Sequence, residues 1–162
     1  MIRDVLLFCM IVSYCFSIYI VYKRFVNNYS ISSIICDENC NSKIKVSMTF
    51  MFLFTFLYEL LRNDNVTLIL ILMLIIGING VLNTKETQIK HYVYSLLTFL
   101  SIMFFMYYNS NKYDSLFLTT SFNLQICLFV FNILFIKINI FIIEVAALLN
   151  FAIFYLYLHK CI

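Results

Sequence analysis

The chain has 162 residues, of which 64% are apolar and only 12% charged, with a formal net charge of +3. A soluble domain averages near half apolar and about a quarter charged, and a core of this size cannot hide so much apolar surface. The eleven basic residues sit singly or in pairs at the ends of apolar runs, which excludes a nucleic-acid footprint and implies membrane flanks.

Six apolar segments follow one another at roughly 5–22, 46–61, 66–82, 92–108, 115–136 and 138–158. Each lies near the ~20 residues that cross ~30 Å of hydrocarbon. None alternates polar and apolar residues as a barrel strand would, so helices are expected. The expected fold class is therefore all-α: one polytopic transmembrane helix bundle over residues 1–162, with about six spans. The first run lacks a small-residue cleavage motif and reads as a retained span rather than a signal peptide. Its stripe of Cys9, Ser13 and Ser17 suits close helix packing, as do Gly77 and Gly80 in the third run. The connections are the long polar loop around 29–43, then Arg62–Asn65, Asn83–His91, Asn109–Asp114 and a tight turn at Lys137. The last two runs are read as separate spans, because about 44 residues of helix would be twice a membrane's thickness.

Tryptophan and proline are absent and there are only two glycines. Tyrosines take the interfacial positions instead, at Tyr19, Tyr22, Tyr92, Tyr107, Tyr108, Tyr155 and Tyr157. Without paired Gly/Pro interruptions, the broken-helix substrate sites of secondary transporters are not expected. The Ile/Asn/Phe/Lys-rich usage is that of an AT-rich genome: a parasite, an organelle or a large DNA virus.

Few residues carry candidate chemistry. Glu144 is read as the acid set well inside a span, about 9 Å from the start of helix six, and an intramembrane carboxylate is by default a functional-site hypothesis. Ser121, Gln125 and Asn132 fall within about 40° of one another on helix five and would face it. The set is either a buried proton-binding or headgroup site, or a packing hydrogen bond between helices five and six. Glu59 and Arg62, at i and i+3, are expected to form an interfacial ion pair. Cys36 and Cys40 leave three readings open: no special role, a disulfide, or half of a metal site that lacks its other ligands. Cys161, next to the membrane, is a candidate for palmitoylation. His91 and His159 fall on opposite membrane faces and cannot share one metal. No catalytic triad, zinc motif or phosphate-cradling glycine loop is present, so no catalytic residue, metal or cofactor is assigned.

Six spans with the longest loop after the first resemble the Frag1/DRAM/Sfk1 group of membrane proteins. The resemblance rests on Ser30-Ile31-Ser32 followed by the acid Glu38 in that loop, and on His91 at the start of helix four. The runs Tyr58–Arg62 and Gly77–Val81 fit the same register of helices two and three. It covers most of residues 1–108; the family's usual proline before the acid is missing, and Cys36-Asp37 occupies that stretch.

The resemblance implies a non-enzymatic, lipid-associated scaffold or regulator, linked to lipid and GPI-anchor handling, phosphoinositide-kinase recruitment or autophagy. It makes Ser30, Ser32, Glu38, Glu59 and His91 one layer of lipid- or partner-binding residues. It also implies a non-cytosolic first loop, which favours the disulfide between Cys36 and Cys40. The basic residues lean the other way, with seven on the first-loop side against four on the side of the termini. The expected partners are membrane lipids, other membrane proteins or further copies of the chain, and no nucleic acid. Two rival readings remain: a hydrophobic structural subunit of an organellar respiratory or translocation complex, and a small ion-conducting oligomer using Glu144.

Overall fold

The computed structural model describes residues 1–24, 30, 31, 34, 38–134 and 140–162, without the side chains of 38–41, 132, 133 and 140. Among these residues the chain is all-α, with six helices and no strand. They are α1 (Ile2–Lys23), α2 (Glu38–Arg62), α3 (Asn65–Asn83), α4 (Ile89–Tyr113), α5 (Leu116–Leu134) and α6 (Ile140–Cys161). All but α5 are both long and apolar enough to cross a membrane; the described apolar part of α5, Leu116–Phe131, is shorter. The helices overrun the apolar runs. α2 begins at Glu38, eight residues before its run, and α4 continues through Asn109–Tyr113, where a connection was expected.

Successive helices run antiparallel. The start of α1 meets the end of α6 through Asp4 and His159, 3.1 Å apart, and the end of α2 reaches α4 through Arg62 and Tyr113. We call this the first end of the bundle, and the end where α1 finishes the second. At the first end all six helices supply one core: Leu7, Tyr58, Ile71, Leu74, Ile102, Phe105, Met106, Leu118, Phe154, Tyr155 and Leu158. Phe105 is its centre, with Phe151, Phe154 and Tyr155 rings at 5.8, 6.4 and 5.6 Å. At the second end a smaller cluster joins Val21, Ile34, Ile44 and Leu82, with Phe141 packed against it.

The outer faces are apolar too. On α1 the exposed residues Val5, Phe8, Val12 and Phe16 recur at helical spacing, and so do Val66, Ile69, Met73 and Ile76 on α3. A water-soluble bundle turns such stripes inward; here they point out, as a hydrocarbon solvent requires. Hydroxyls within the helices bond back to the preceding turn, as Ser13 does to the Cys9 carbonyl (2.9 Å) and Ser101 to that of Leu97 (2.7 Å). That local bond is what lets serine and threonine sit in an apolar medium.

Helix ends manage with few glycines. α2 stops where Asn63 turns left-handed (φ 57°), and α4 where Asp114 does (φ 40°). Asn and Asp are the residues that tolerate this region best after glycine. Asp64 then caps α3, its Oδ1 accepting from the Val66 and Thr67 amides at 3.1 and 3.3 Å. Its other oxygen takes the Lys112 ammonium at 2.6 Å, tying the α2–α3 turn to α4.

The two glycines sit where α3 crosses α4. A Cβ on Gly77 would stand 2.9 Å from the Thr98 backbone nitrogen, and one on Gly80 would fall inside the Tyr94 ring. Gly77→Ala should therefore destabilise the fold by about 1–3 kcal/mol, despite alanine's better helix propensity. Unfolding followed by helicity in mixed micelles checks this.

Burial tends to raise the Asp64 carboxyl's pKa. The Lys112 hydrogen bond, the Thr67 amide, and the Lys112 and Arg62 charges outweigh it and hold the group below the usual carboxylate value. A folded-state pKa below the unfolded one gives stability that is present above the unfolded value of about 3.9. That stability is lost as pH falls through the folded value. Asp64→Asn should keep the cap and flatten the acid limb of the stability profile, whereas Asp64→Ala should also cost about 1 kcal/mol at neutral pH.

Candidate functional site

Polar side chains collect in three places. The largest cluster fills the first end of the bundle. Glu59 and Arg62 pair there at 3.4 Å, and their side chains are 0% and 1% exposed. The sequence implied an interfacial pair. The structure buries it, because Tyr155 from α6 closes one side and Asn109 from α4 the other. The Tyr155 hydroxyl donates to Glu59 Oε1. Arg62 Nη2 donates to Asn109 Oδ1 and, at 3.3 Å, to the Tyr113 hydroxyl. Asn109 Nδ2 in turn donates to the Phe105 carbonyl at 2.8 Å. Beside this network the Tyr58 hydroxyl meets His159 Nδ1 at 2.7 Å, and His159 Nε2 meets Asp4. Arg62 Nε and the Tyr14 hydroxyl are the buried side-chain polar atoms left without a partner among the described residues.

The second cluster lies between α5 and α6. The Ser121 hydroxyl donates to Asn150 Oδ1 at 2.8 Å, and Asn150 Nδ2 donates to Gln125 Oε1 at 2.8 Å and to the Ser121 carbonyl at 2.9 Å. Ser121 and Gln125 do share a face, but it addresses Asn150 rather than Glu144. Asn150 was missed. It lies deep in an apolar run, but without a charge it stood out less than Glu144. The side chain of Asn132 is outside the described residues, as is Lys137 with the expected turn.

The third cluster is at the second end. Glu144 Oε2 accepts from the Ile31 amide at 2.7 Å, and the Ser30 hydroxyl donates to Glu86 Oε1 at 2.9 Å. Two carboxylates thus hold the Ser-Ile stretch of the first loop against the bundle. His91 is nearby in register and buried, its Nδ1 within 3.2 Å of the Thr84 hydroxyl and 3.3 Å of the Thr84 carbonyl. Ser32, Cys36, and the side chains of Glu38 and Cys40 lie outside the described residues.

Of the expected layer of Ser30, Ser32, Glu38, Glu59 and His91, Glu59 is not beside Ser30 or His91. Glu59 stands at the opposite end from Ser30 and His91. Along the continuous α2 it is 21 residues beyond Glu38, or about 32 Å at 1.5 Å per residue.

Between α1 and α2 the small-residue stripe becomes a hydroxyl contact. Ser17 and Ser47 oxygens are 2.8 Å apart, and Ser47 donates to the Ser13 carbonyl at 2.9 Å. Cys9, Cys15, Cys127 and Cys161 are free thiols. Among the described residues no three His, Cys, Asp or Glu side chains converge as a metal would need. A cavity of about 120 Å³ opens between α1 and α6 at the second end, with an apolar wall.

No protein-family model, no curated protein and no solved structure is significantly similar to this chain. The class that the fold defines is thus an all-α bundle built of membrane-length apolar helices.

A buried pair tolerates joint replacement better than the loss of one member, because the remaining charge is stranded. Arg62→Met alone should destabilise the bundle by about 3–5 kcal/mol, while Glu59→Gln with Arg62→Met should recover most of that loss. A double-mutant cycle on unfolding in micelles checks it.

Proposed function

We propose that this chain is a multi-pass integral membrane protein that performs no catalysis and acts as a lipid-associated scaffold or regulator, of the type the Frag1/DRAM/Sfk1 resemblance implies. The observation that carries this reading is the division of its polar groups. Most of the buried polar side chains answer one another within the bundle, as Glu59 answers Arg62 and Tyr155, and Asn150 answers Ser121 and Gln125. Groups satisfied in this way specify helix packing. They leave no converging set of metal ligands among the described residues. The outward apolar stripes are the surface through which such a protein meets lipid.

The test is native mass spectrometry of the chain extracted gently from its own membrane. The expected result is a chain, alone or self-associated, that carries phospholipid. Recovery only as a stoichiometric member of a larger complex would replace this reading with that of a structural subunit.

A further inference from the structure

We propose that the cavity between α1 and α6 holds one acyl chain of an anionic phospholipid from the leaflet at which α1 ends. The proposal rests on the lipid-associated reading and names its site.

Three observations carry it. First, the cavity extends along two neighbouring helices. Its wall runs from Tyr14 to Tyr22 along α1 and from Phe141 to Leu149 along α6. Eight residues of rise make that about 12 Å, against the ~15 Å of one leaflet's hydrocarbon. Second, its surface is apolar, and an apolar cavity stays dry and takes apolar guests. The core explains why it exists. All six helices converge at the first end, whereas the second-end cluster draws its buried residues from α1, α2, α3 and Ile34 of the first loop. α1 and α6 make no close backbone approach among the described residues, so the groove lies between two helices that never zip together.

Third, basic residues flank the mouth, beside the two carboxylates Glu86 and Glu144 that hold Ser30 and Ile31. Lys23 and Arg24 end α1, and Lys43 and Lys45 lie in the first two turns of α2. Lys23, Arg24 and Lys43 are exposed, and no carboxylate pairs with any of the four among the described residues. Cations at the polar boundary attract an anionic headgroup, and a chain in the groove places that headgroup beside them. Ile31 also lines the cavity, held there by the hydrogen bond its amide donates to Glu144. Glu144 thereby positions Ile31 as part of the groove's wall.

The test uses the full chain purified in detergent and offered phosphatidylglycerol or phosphatidylcholine, with retained lipid counted by native mass spectrometry. The wild type should retain one phosphatidylglycerol at least about fivefold in preference to phosphatidylcholine. Val145→Trp with Leu148→Phe, which fills the groove, should abolish that retention. Lys23→Gln, Arg24→Gln and Lys43→Gln together should erase the preference between the two lipids while leaving a chain bound. A tail-photoactivatable phosphatidylglycerol on the wild-type protein provides a second measurement that needs no core substitution. It should label peptides containing residues 14–22 and 141–149. Lipid retained equally by the groove-filled variant, or label falling only on other helices, overturns the groove and leaves the lipid-associated reading standing. A wild-type chain that retains no lipid at all removes both.

Discussion

Every polar group within the hydrocarbon of a membrane must find its partner inside the protein. That constraint organises this structure more than any single contact. There is little hydrophobic force to drive one apolar helix against another when lipid is equally apolar. Association then depends on close packing and on hydrogen bonds that would otherwise go unmade. The Glu59–Arg62 pair, with Tyr155 and Asn109, joins α2, α4 and α6 at one end. Ser121, Gln125 and Asn150 join α5 to α6. Ser13, Ser17 and Ser47 join α1 to α2, and the glycines let α3 approach α4.

These joints are unevenly distributed. The first end holds the large shared core and the buried ion pair. Among the described residues, the second end is joined by fewer buried side chains and by two carboxylates that hold Ser30 and Ile31. The cavity between α1 and α6 lies at this second end. The lipid site proposed above rests on this packing asymmetry and on the basic residues around that end.

Glu59 and Glu144 do different jobs because their surroundings differ. Glu59 is enclosed by a guanidinium and a phenol, an environment that fixes a charge pattern and a unique helix register. Glu144 meets a backbone amide of a connecting segment, so its carboxylate positions a loop rather than a helix. A salt bridge is hard to rearrange without breaking the core around it. A loop clasp is an attachment at the edge.

Much of this was legible in the residues alone, and the reason is solvent. Long apolar runs with few charges and no strand-like alternation leave no alternative to membrane-length helices, so the all-α class followed from length and pattern. The small residues at Ser13, Ser17, Gly77 and Gly80 marked helix contacts, because close approach needs small side chains whatever the partner. Pairing across helices was not legible, since side chains far apart in the chain meet only when helix rotations are set by the whole core. Thus the face carrying Gln125 was identified, but its partner, Asn150, was not. Glu59 was read at the membrane boundary because Arg62 follows it by one turn, and only Tyr155 and Asn109, 96 and 50 positions away, bury it. The sequence by itself determined what each helix is made of and which residues needed partners. The tertiary structure alone decided which partners they took and where the bundle was left open, because both depend on how six rotations settle together.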